Sequence, residues 1–305
     1  MTGGAGFLGA ALCRRLLSEE NEVFCLDNLY SGYLENIKDY MNNPRFHFIE
    51  HDVTEPFDIR VDRIFHLACP ASPGKYQKDS VYTSKVCFLG AINMLELARK
   101  YDARILLTST SEIYGDPEIH PQTESYRGNI NPIGIRSCYG EGKRIAESLF
   151  FDYHRQYGVQ IKVARLFNVY GPEMNSQDGR VIANFVYQAL NGEDITIFGN
   201  GRQTRSFCYI DDCIGGLIKL MDKDDFTGPV NIGNPEEITI QETAEMILRL
   251  TKSTSEIVYR DLPSDDERRR RPSIDLAKKE LCWEPKVKLE DGVRMTISAY
   301  SKMMK

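Results

Sequence analysis

Apolar positions along the first half of the chain follow two alternating rhythms. Short runs at 23–26, 45–49, 63–67, 104–108 and 160–165 read as buried strands. Between them, apolar residues recur every three or four positions at 8–17, 90–100 and 141–157, the period of helices with one buried face. Strand and helix alternating in this way predict a parallel sheet covered on both faces, a doubly wound α/β fold of Rossmann type. Past residue 166 the rhythm loosens. Turn clusters such as Tyr170-Gly171-Pro172, Phe198-Gly199-Asn200-Gly201 and Gly233-Asn234-Pro235 separate shorter elements. This predicts a first domain over 1–166 and a smaller, mixed α/β domain over 167–305. A strand-like stretch at 206–212 predicts that the chain returns to the first domain over 206–232.

The start of the chain changes this picture. Gly3, Gly6 and Gly9 are spaced GxxGxxG, with Phe7 and Leu8 between the last two, and a helical stretch follows. Glycines there let the backbone approach a pyrophosphate, and the helix N-terminus offers free N–H groups. The apolar strand Val23-Phe24-Cys25-Leu26 ends in Asp27-Asn28, with Asp27 standing 18 residues after Gly9. An acid so placed binds ribose hydroxyls and repels a 2′-phosphate, so the expected cofactor is NAD rather than NADP. Asp52-Val53, after the next strand, fits a contact to the adenine. Only Met1 and Thr2 precede the loop, where such a sheet has its first central strand. Either the given sequence begins inside the domain or the sheet lacks that strand, which would leave a gap between two neighbouring strands.

A second constellation carries chemistry. Tyr139 and Lys143 lie four apart at the start of a helical stretch and share one face. An unperturbed phenol, with a pKa of ~10, is a poor base at neutral pH. A neighbouring ammonium favours the phenolate, and is expected to lower the Tyr139 pKa. Thr108-Ser109-Thr110-Ser111-Glu112 closes an apolar strand at the sheet edge where open parallel sheets take ligands. These hydroxyls can share a substrate hydroxyl with Tyr139.

Bulk properties exclude other classes. Among 305 residues, 42% are hydrophobic and 27% charged, as in ordinary globular proteins. A formal charge of −6 argues against a general nucleic-acid or membrane-surface binder. No apolar run approaches the ~18–20 residues needed to span a bilayer. Eight cysteines without a CxxC pair, and five scattered histidines, give no metal-ligand rhythm and read as a reduced, cytoplasmic protein. Asp265-Asp266-Glu267 followed by four arginines, 268–271, reads as a solvated charge run or as a phosphate clamp.

Taken together, the glycine loop, Asp27-Asn28, the Tyr139/Lys143 pair and the serine-bearing strand end resemble the extended short-chain dehydrogenase/reductase family of nucleotide-sugar enzymes. Residues 66–73 (HLACPASP), 110–116 (TSEIYGD), 165–172 (RLFNVYGP), 178–181 (DGRV) and 203–207 (QTRSF) are similar to the branch that decarboxylates UDP-glucuronate to UDP-xylose. The resemblance implies that NAD oxidises C4 of the sugar, CO2 leaves, and the reduced cofactor returns its hydride. Tyr139, Lys143, Thr110, Ser111 and Glu112 would be catalytic, with Glu112 positioning the sugar or handling the C5 proton. It also implies Tyr30, Ser31, Gly32, Leu67, Ala68 and Cys69 beside the cofactor. Asn168, Arg180, Arg205 and Arg270 would hold the UDP, and Tyr76, Lys85 and Asn93 would face the glucuronate. A homodimer would form on the helix bearing Ile145, Leu149 and Tyr153, a stripe that also suits a core. The sequence departs from the pattern at Cys69 (usually Ser), Val86-Cys87 (usually Thr-Asn) and Gly140 (usually Asp). A 4-epimerase, a 4,6-dehydratase of the same family and a non-catalytic nucleotide-binding module are the alternatives.

Overall fold

In the computed structural model, residues 1–305 are described apart from Gln177, Asp266 and Lys305. The glycine loop leads into α1 (Phe7–Ser18), and the chain returns as β1 (Val23–Asp27), which pairs in parallel with β2 (Phe46–Glu50). Next come β3 (Arg63–His66), the single turn α2 (Pro73–Tyr76), α3 (Ser80–Tyr101), β4 (Arg104–Thr110), α4 (Ser137–Tyr157) and β5 (Ile161–Leu166). The order β3, β4, β5 is parallel throughout.

Between β1 and β3 the expected gap is bridged at the level of the glycine loop. Thr2 pairs in parallel with Leu26 on one side and His66 on the other. Leu26 N donates to the Met1 carbonyl at 2.8 Å, and Thr2 N to the Phe65 carbonyl at 3.0 Å. Two residues thus satisfy the backbone groups that strands on both sides turn toward the sheet centre.

Both long helices start earlier than their apolar period suggests. Asp79 caps α3 by accepting from Tyr82 N at 2.8 Å, which adds ten residues ahead of the periodic stretch at 90–100. Helix α4 begins at Ser137, ahead of Tyr139, so both Tyr139 and Lys143 lie in its first two turns. It ends where Gly158 takes a left-handed conformation.

After β5 the chain forms β6 (Val169–Tyr170), α5 (Val181–Asn191), β7 (Ile195–Phe198), β8 (Thr204–Ser206) and β9 (Cys208–Tyr209). There follow α6 (Ile210–Asp222), β10 (Val230–Ile232), β11 (Glu237–Thr239), α7 (Ile240–Thr251) and β12 (Ile257–Arg260). Then come β13 (Arg269–Arg270), α8 (Asp275–Leu281) and α9 (Leu289–Met303). The strand-like stretch at 206–212 is only briefly a strand. Helix α6 begins at Ile210 because Asp211 and Asp212 fall in its first turn, where carboxylates face the positive end of the helix. Helix α6 packs on α1, and β10 extends the parallel sheet beside β5, with Val230 opposite Ala164. The later strands form small sheets, β11–β8–β13, β12–β7 and β6–β9, each covered by helices α5, α7 or α9. One apolar core runs from Leu12, Leu106 and Ala164 to Phe185, Leu217, Ile247 and Val293, so the two halves share a core.

A buried ion pair fastens α4 to the sheet. Arg165 Nε and Nη2 donate to Glu147 Oε1 and Oε2 at 3.0 and 2.7 Å, a bidentate fork. Arg165 Nη1 also donates to the Tyr114 hydroxyl, which donates to Asn231 Oδ1 at 2.8 Å. Removing one partner leaves the other charge buried and exposed to the full desolvation cost. Glu147→Gln is therefore expected to lower stability by about 3 kcal/mol, read as a fall in the urea midpoint at unchanged slope. An unchanged midpoint would show that the pair contributes nothing.

Candidate active site

The C-terminal edge of the sheet opens into a cavity of about 530 Å³ between the first half of the chain and the later elements. One end is built by the glycine loop. Gly3 has φ +70°, and a Cβ on it would lie 2.8 Å from Ala68 N. A Cβ on Gly9 would run into the Gly3 carbonyl and the Gly4 backbone. The loop therefore packs against the β3 exit with no room for side chains. Gly6 caps α1 without any side-chain acceptor, so the first N–H groups of α1 face the cavity together with Gly3, Gly6, Phe7, Leu8 and Gly9.

Asp27 closes this end. Its Oδ2 accepts from Ala5 N at 2.9 Å and its Oδ1 from Leu29 N at 2.8 Å. Burial pushes its carboxyl above the usual range, against those two hydrogen bonds. Asn28, Tyr30, Ser31 and Val53 also line the cavity. Gly32 does not, but a Cβ on it would lie 2.9 Å from both Asp27 oxygens, so it makes room for that carboxylate. Asp52 is set back from the wall. It accepts from Asn28 Nδ2 at 2.9 Å and from the Tyr82 hydroxyl at 2.7 Å, so it orients Asn28 and Tyr82. Tyr82, itself in the wall with its ring tilted 46° against Tyr30, was not singled out by spacing.

At the middle of the cavity stand Leu67, Ala68, Cys69, Thr110, Ser111, Glu112, Tyr139 and Lys143. Lys143 is 3% exposed, and its Nζ donates to the Thr108 carbonyl at 2.8 Å. The expected lowering of the Tyr139 pKa by Lys143 is not what the protein groups produce. Burial pushes the phenol up, Cys69 and Glu112 add to the rise, and a hydrogen bond with Thr110 opposes it. The physical reason is that a phenolate loses its water before it gains a cation. Ser109 adds a buried hydroxyl with no hydrogen-bond partner among the described residues, and it lines the same wall. Gly140 admits Ile130 over the start of α4.

Beside Tyr139 lies a cluster of buried charges. Arg136, three residues ahead of it, donates from Nε to the Tyr76 hydroxyl at 2.9 Å and from Nη2 to Glu112 Oε1 at 3.3 Å. Arg270 Nη2 stands 2.5 Å from Glu267 Oε2 and 3.9 Å from Glu112 Oε1, and its Nη1 donates to Asn168 Oδ1 at 3.2 Å. Arg136 Nη1 approaches Glu267 Oε2 at 3.8 Å. Burial raises Glu112, against the pull of Arg136 and Arg270, whereas Arg270 and Arg136 outweigh burial at Glu267 and hold its carboxyl below the usual range. The run at 265–271 is thus divided: Glu267 and Arg270 are buried, Asp265, Arg268 and Arg269 are exposed, and Asp266 lies outside the described residues.

Several expected substrate residues sit elsewhere. Tyr76 is fully buried and stacks flat under Tyr139, with ring centroids 5.1 Å apart, so it supports the wall without lining it. Lys85 is exposed on α3, outside the cavity, because the early start of that helix turns it to the surface. Asn93 donates to the Val53 carbonyl at 2.9 Å and joins α3 to the segment after β2. Asn168, Arg180, Arg205 and Arg270 do line the far end of the cavity, Arg180 alongside Asp178 at 2.5 Å. Sequence reasoning missed Arg136 and Glu267. The i, i+3 spacing of Arg136 to Tyr139 was a readable signal; nothing local marks Glu267 as buried within a charge run. Among the described residues, no group of His, Cys, Asp or Glu is placed to hold a metal, and no helix is long and apolar enough to cross a membrane.

A glycine loop at the head of a helix, a Tyr/Lys pair on a second helix and an arginine-lined far end define a nucleotide-sugar enzyme of the extended short-chain dehydrogenase/reductase class. The model of the GDP-mannose 4,6 dehydratase family matches residues 1–296. Over 294 residues the chain is 56% identical to UDP-glucuronic acid decarboxylase 6 of Arabidopsis thaliana, covering 96% of this chain and 85% of that one. It is 48% identical over 302 residues to UDP-glucuronic acid decarboxylase 1 of Danio rerio, covering 99% and 72%. Among solved structures it is similar to a UDP-glucose 4-epimerase with UDP-glucose from Thermotoga maritima (TM-score 0.90, 29% identity, 100% and 98% covered). A second is a dTDP-glucose 4,6-dehydratase from Streptomyces venezuelae with NAD bound (TM-score 0.91, 26% identity, 99% and 96% covered). The chain belongs to this family of nucleotide-sugar enzymes, in its UDP-glucuronic acid decarboxylase branch.

Because the Thr110 hydrogen bond holds the Tyr139 phenol down, Thr110→Val is expected to shift the acid limb of the kcat/KM pH profile to higher pH. Tyr139 must lose its proton to act as base, so a higher pKa moves the rising limb upward. The rate at neutral pH should fall by roughly 10²-fold. A limb that stays in place would remove Thr110 from the titration of Tyr139.

Proposed function

We propose that the chain converts UDP-glucuronate to UDP-xylose and CO2. The observation that carries this reading is the buried cluster of Glu112, Arg136, Arg270 and Glu267 directly beside Tyr139. It places the Arg136 guanidinium in the wall next to the base, where it can meet a sugar carboxylate. Branch membership points the same way.

The residues present fit NAD. The cradle formed by Gly3 and Gly9, the uncapped start of α1 and the Asp27 carboxylate at the end of β1 suit a pyrophosphate and an adenosine ribose. Asn28, Tyr30, Ser31 and Val53 would flank the adenosine, and Leu67, Ala68, Cys69 and Lys143 the nicotinamide half. When bound, the cofactor accepts a hydride from C4 of the sugar and later returns it.

The chain supplies the rest. Tyr139 takes the proton of the C4 hydroxyl, which Thr110 and Ser111 hold by hydrogen bonds. The resulting 4-ketone stands β to the carboxylate, so the C5–C6 bonding pair moves toward the ketone oxygen as CO2 leaves. Protonated Tyr139 and the Thr110 and Ser111 hydroxyls stabilise that enolate oxygen. Glu112 is placed to protonate C5 or to hold the sugar, and burial favours its protonated form. Asn168, Arg180, Arg205 and Arg270 take the UDP. In this reading residues 1–166 with 206–232 hold the cofactor, the remaining C-terminal residues hold the UDP, and the protein works in the cytoplasm.

A homodimer is part of the proposal. Helices α3 and α4 lie side by side, and they leave Phe88, Leu89 and Ile145 exposed, while Leu149 and Tyr153 pack partly against the core. A second copy placed on this face would cover those three residues.

Incubation with UDP-glucuronate should give UDP-xylose by mass and equimolar CO2 without net accumulation of reduced cofactor. Tyr139→Phe should abolish turnover and leave NAD binding intact. A 4-epimer with no CO2, or a 4-keto-6-deoxy product, would replace this reading with epimerisation or dehydration. Ile145→Glu, by placing a charge on the α3–α4 face, is expected to shift the mass measured by light scattering toward one chain. An unchanged dimer mass would locate the contact elsewhere, and a monomeric native chain would refute the dimer.

A further inference from the structure

Two cysteines meet in the floor of the cavity. Cys69, on the loop after β3, is half-buried and lines the cavity wall; Cys87, two turns into α3, is buried behind it. Their Sγ atoms are 3.3 Å apart. A disulfide places its sulfurs ~2.05 Å apart, so closure requires them to approach by about 1.3 Å. Cys69 belongs to a loop, which moves more cheaply than a helix. A third thiol is near but turned away: Cys138 Sγ donates to the Tyr76 carbonyl at 3.6 Å.

We propose that Cys69 and Cys87 form a modification site, where a hydroperoxide converts the two thiols into a disulfide that distorts the cofactor end of the cavity and arrests turnover. The balance is simple. A thiolate of the pair attacks one peroxide oxygen, the O–O bond breaks, and a sulfenic acid and hydroxide result. The partner sulfur then attacks the sulfenic sulfur, the S–O bond breaks, and the second oxygen leaves as water. Two electrons pass from the sulfurs to the peroxide, and both thiol protons end in water. Either sulfur can be the donor across the 3.3 Å contact. The hydrogen bond from Cys69, helped by the charge of Lys143, holds the Cys87 thiol below its usual range.

The consequence follows from what each sulfur touches. Cys69 adjoins Leu67 and Ala68, the segment against which Gly3 is packed. Cys87 lies where α3 meets Gly142 so closely that a Cβ there would be 2.9 Å from its sulfur, and Lys143 is the next residue. Drawing the two together strains the loop under the cofactor and the turn that aims Lys143. A thiol reductant attacks the disulfide from the cavity side and reverses the change.

The arrest rests on the decarboxylase reading; the cross-link does not. The reduced full-length chain is treated with hydrogen peroxide, blocked with an alkylating agent and digested with trypsin without reduction. The expected product joins residues 64–75 to 86–99, each of which holds one cysteine, two hydrogens lighter than their sum. Turnover should fall in step with this species and recover with dithiothreitol. Cys87→Ser, compared with its own untreated rate, should keep most of its turnover under the same treatment. The proposal is overturned if mapping shows no 69–87 link in the native chain, or if the variant is inactivated as fast as the native protein. A linked chain that never decarboxylates UDP-glucuronate would refute the proposed function and leave the modification site standing.

Discussion

The site is governed by the cost of placing Glu112, Glu267 and Arg270 out of water, with Arg136 half-buried beside them, next to one phenol. Glu112 and Glu267 face Arg136 and Arg270 in a buried cluster whose formal charges cancel. Each member is tolerable only because the others are present. Its members come from four places: the turn after β4, the start of α4, the segment before β13 and β13 itself. Neutralising them requires those places to converge, so the same electrostatic constraint that shapes the pocket ties the late segment of the chain to the sheet. An incoming sugar carboxylate adds one negative charge to this balance. In the proposed reaction a protonated Glu112 would restore it and hold a proton for C5.

Tyr139 lives under the same constraint. It is 7% exposed, stacked on Tyr76 and close to Glu112, and these surroundings favour the neutral phenol. A neutral phenol donates a hydrogen bond to a developing oxyanion; a phenolate removes a proton. The proposed mechanism uses both forms in turn; burial favours the neutral one, and the hydrogen bond with Thr110 opposes that shift.

Steric exclusion works at the other end of the cavity. The glycine loop, the β3 exit and the head of α1 are packed so closely that side chains at Gly3 and Gly9 have no space. That packing brings backbone N–H groups to this surface, which suits a phosphate. Met1 and Thr2 stitch β1 to β3 directly beneath, so the cradle rests on the sheet and not on a free loop.

Sequence by itself determined what depends on neighbours along the chain. Apolar period marked β1 to β5 and the three long helices, because burial of one face is written in local spacing. The glycine spacing and Asp27 marked the cofactor end, and Tyr139 with Lys143 marked the helix face, for the same reason. Helix starts were less legible: Asp79 caps α3 ten residues before its apolar period begins, and Ile210 opens a helix inside the stretch at 206–212 that read as strand. Only the tertiary structure decided the rest. Lys85 faces solvent and Asn93 binds a backbone carbonyl because the register of α3, not its composition, sets their direction. Glu267 is buried while its neighbours are exposed, and Cys69 lies 3.3 Å from Cys87 across 18 residues. Those facts depend on which distant segments are brought together, and burial and electrostatics between such segments leave no local trace in a sequence.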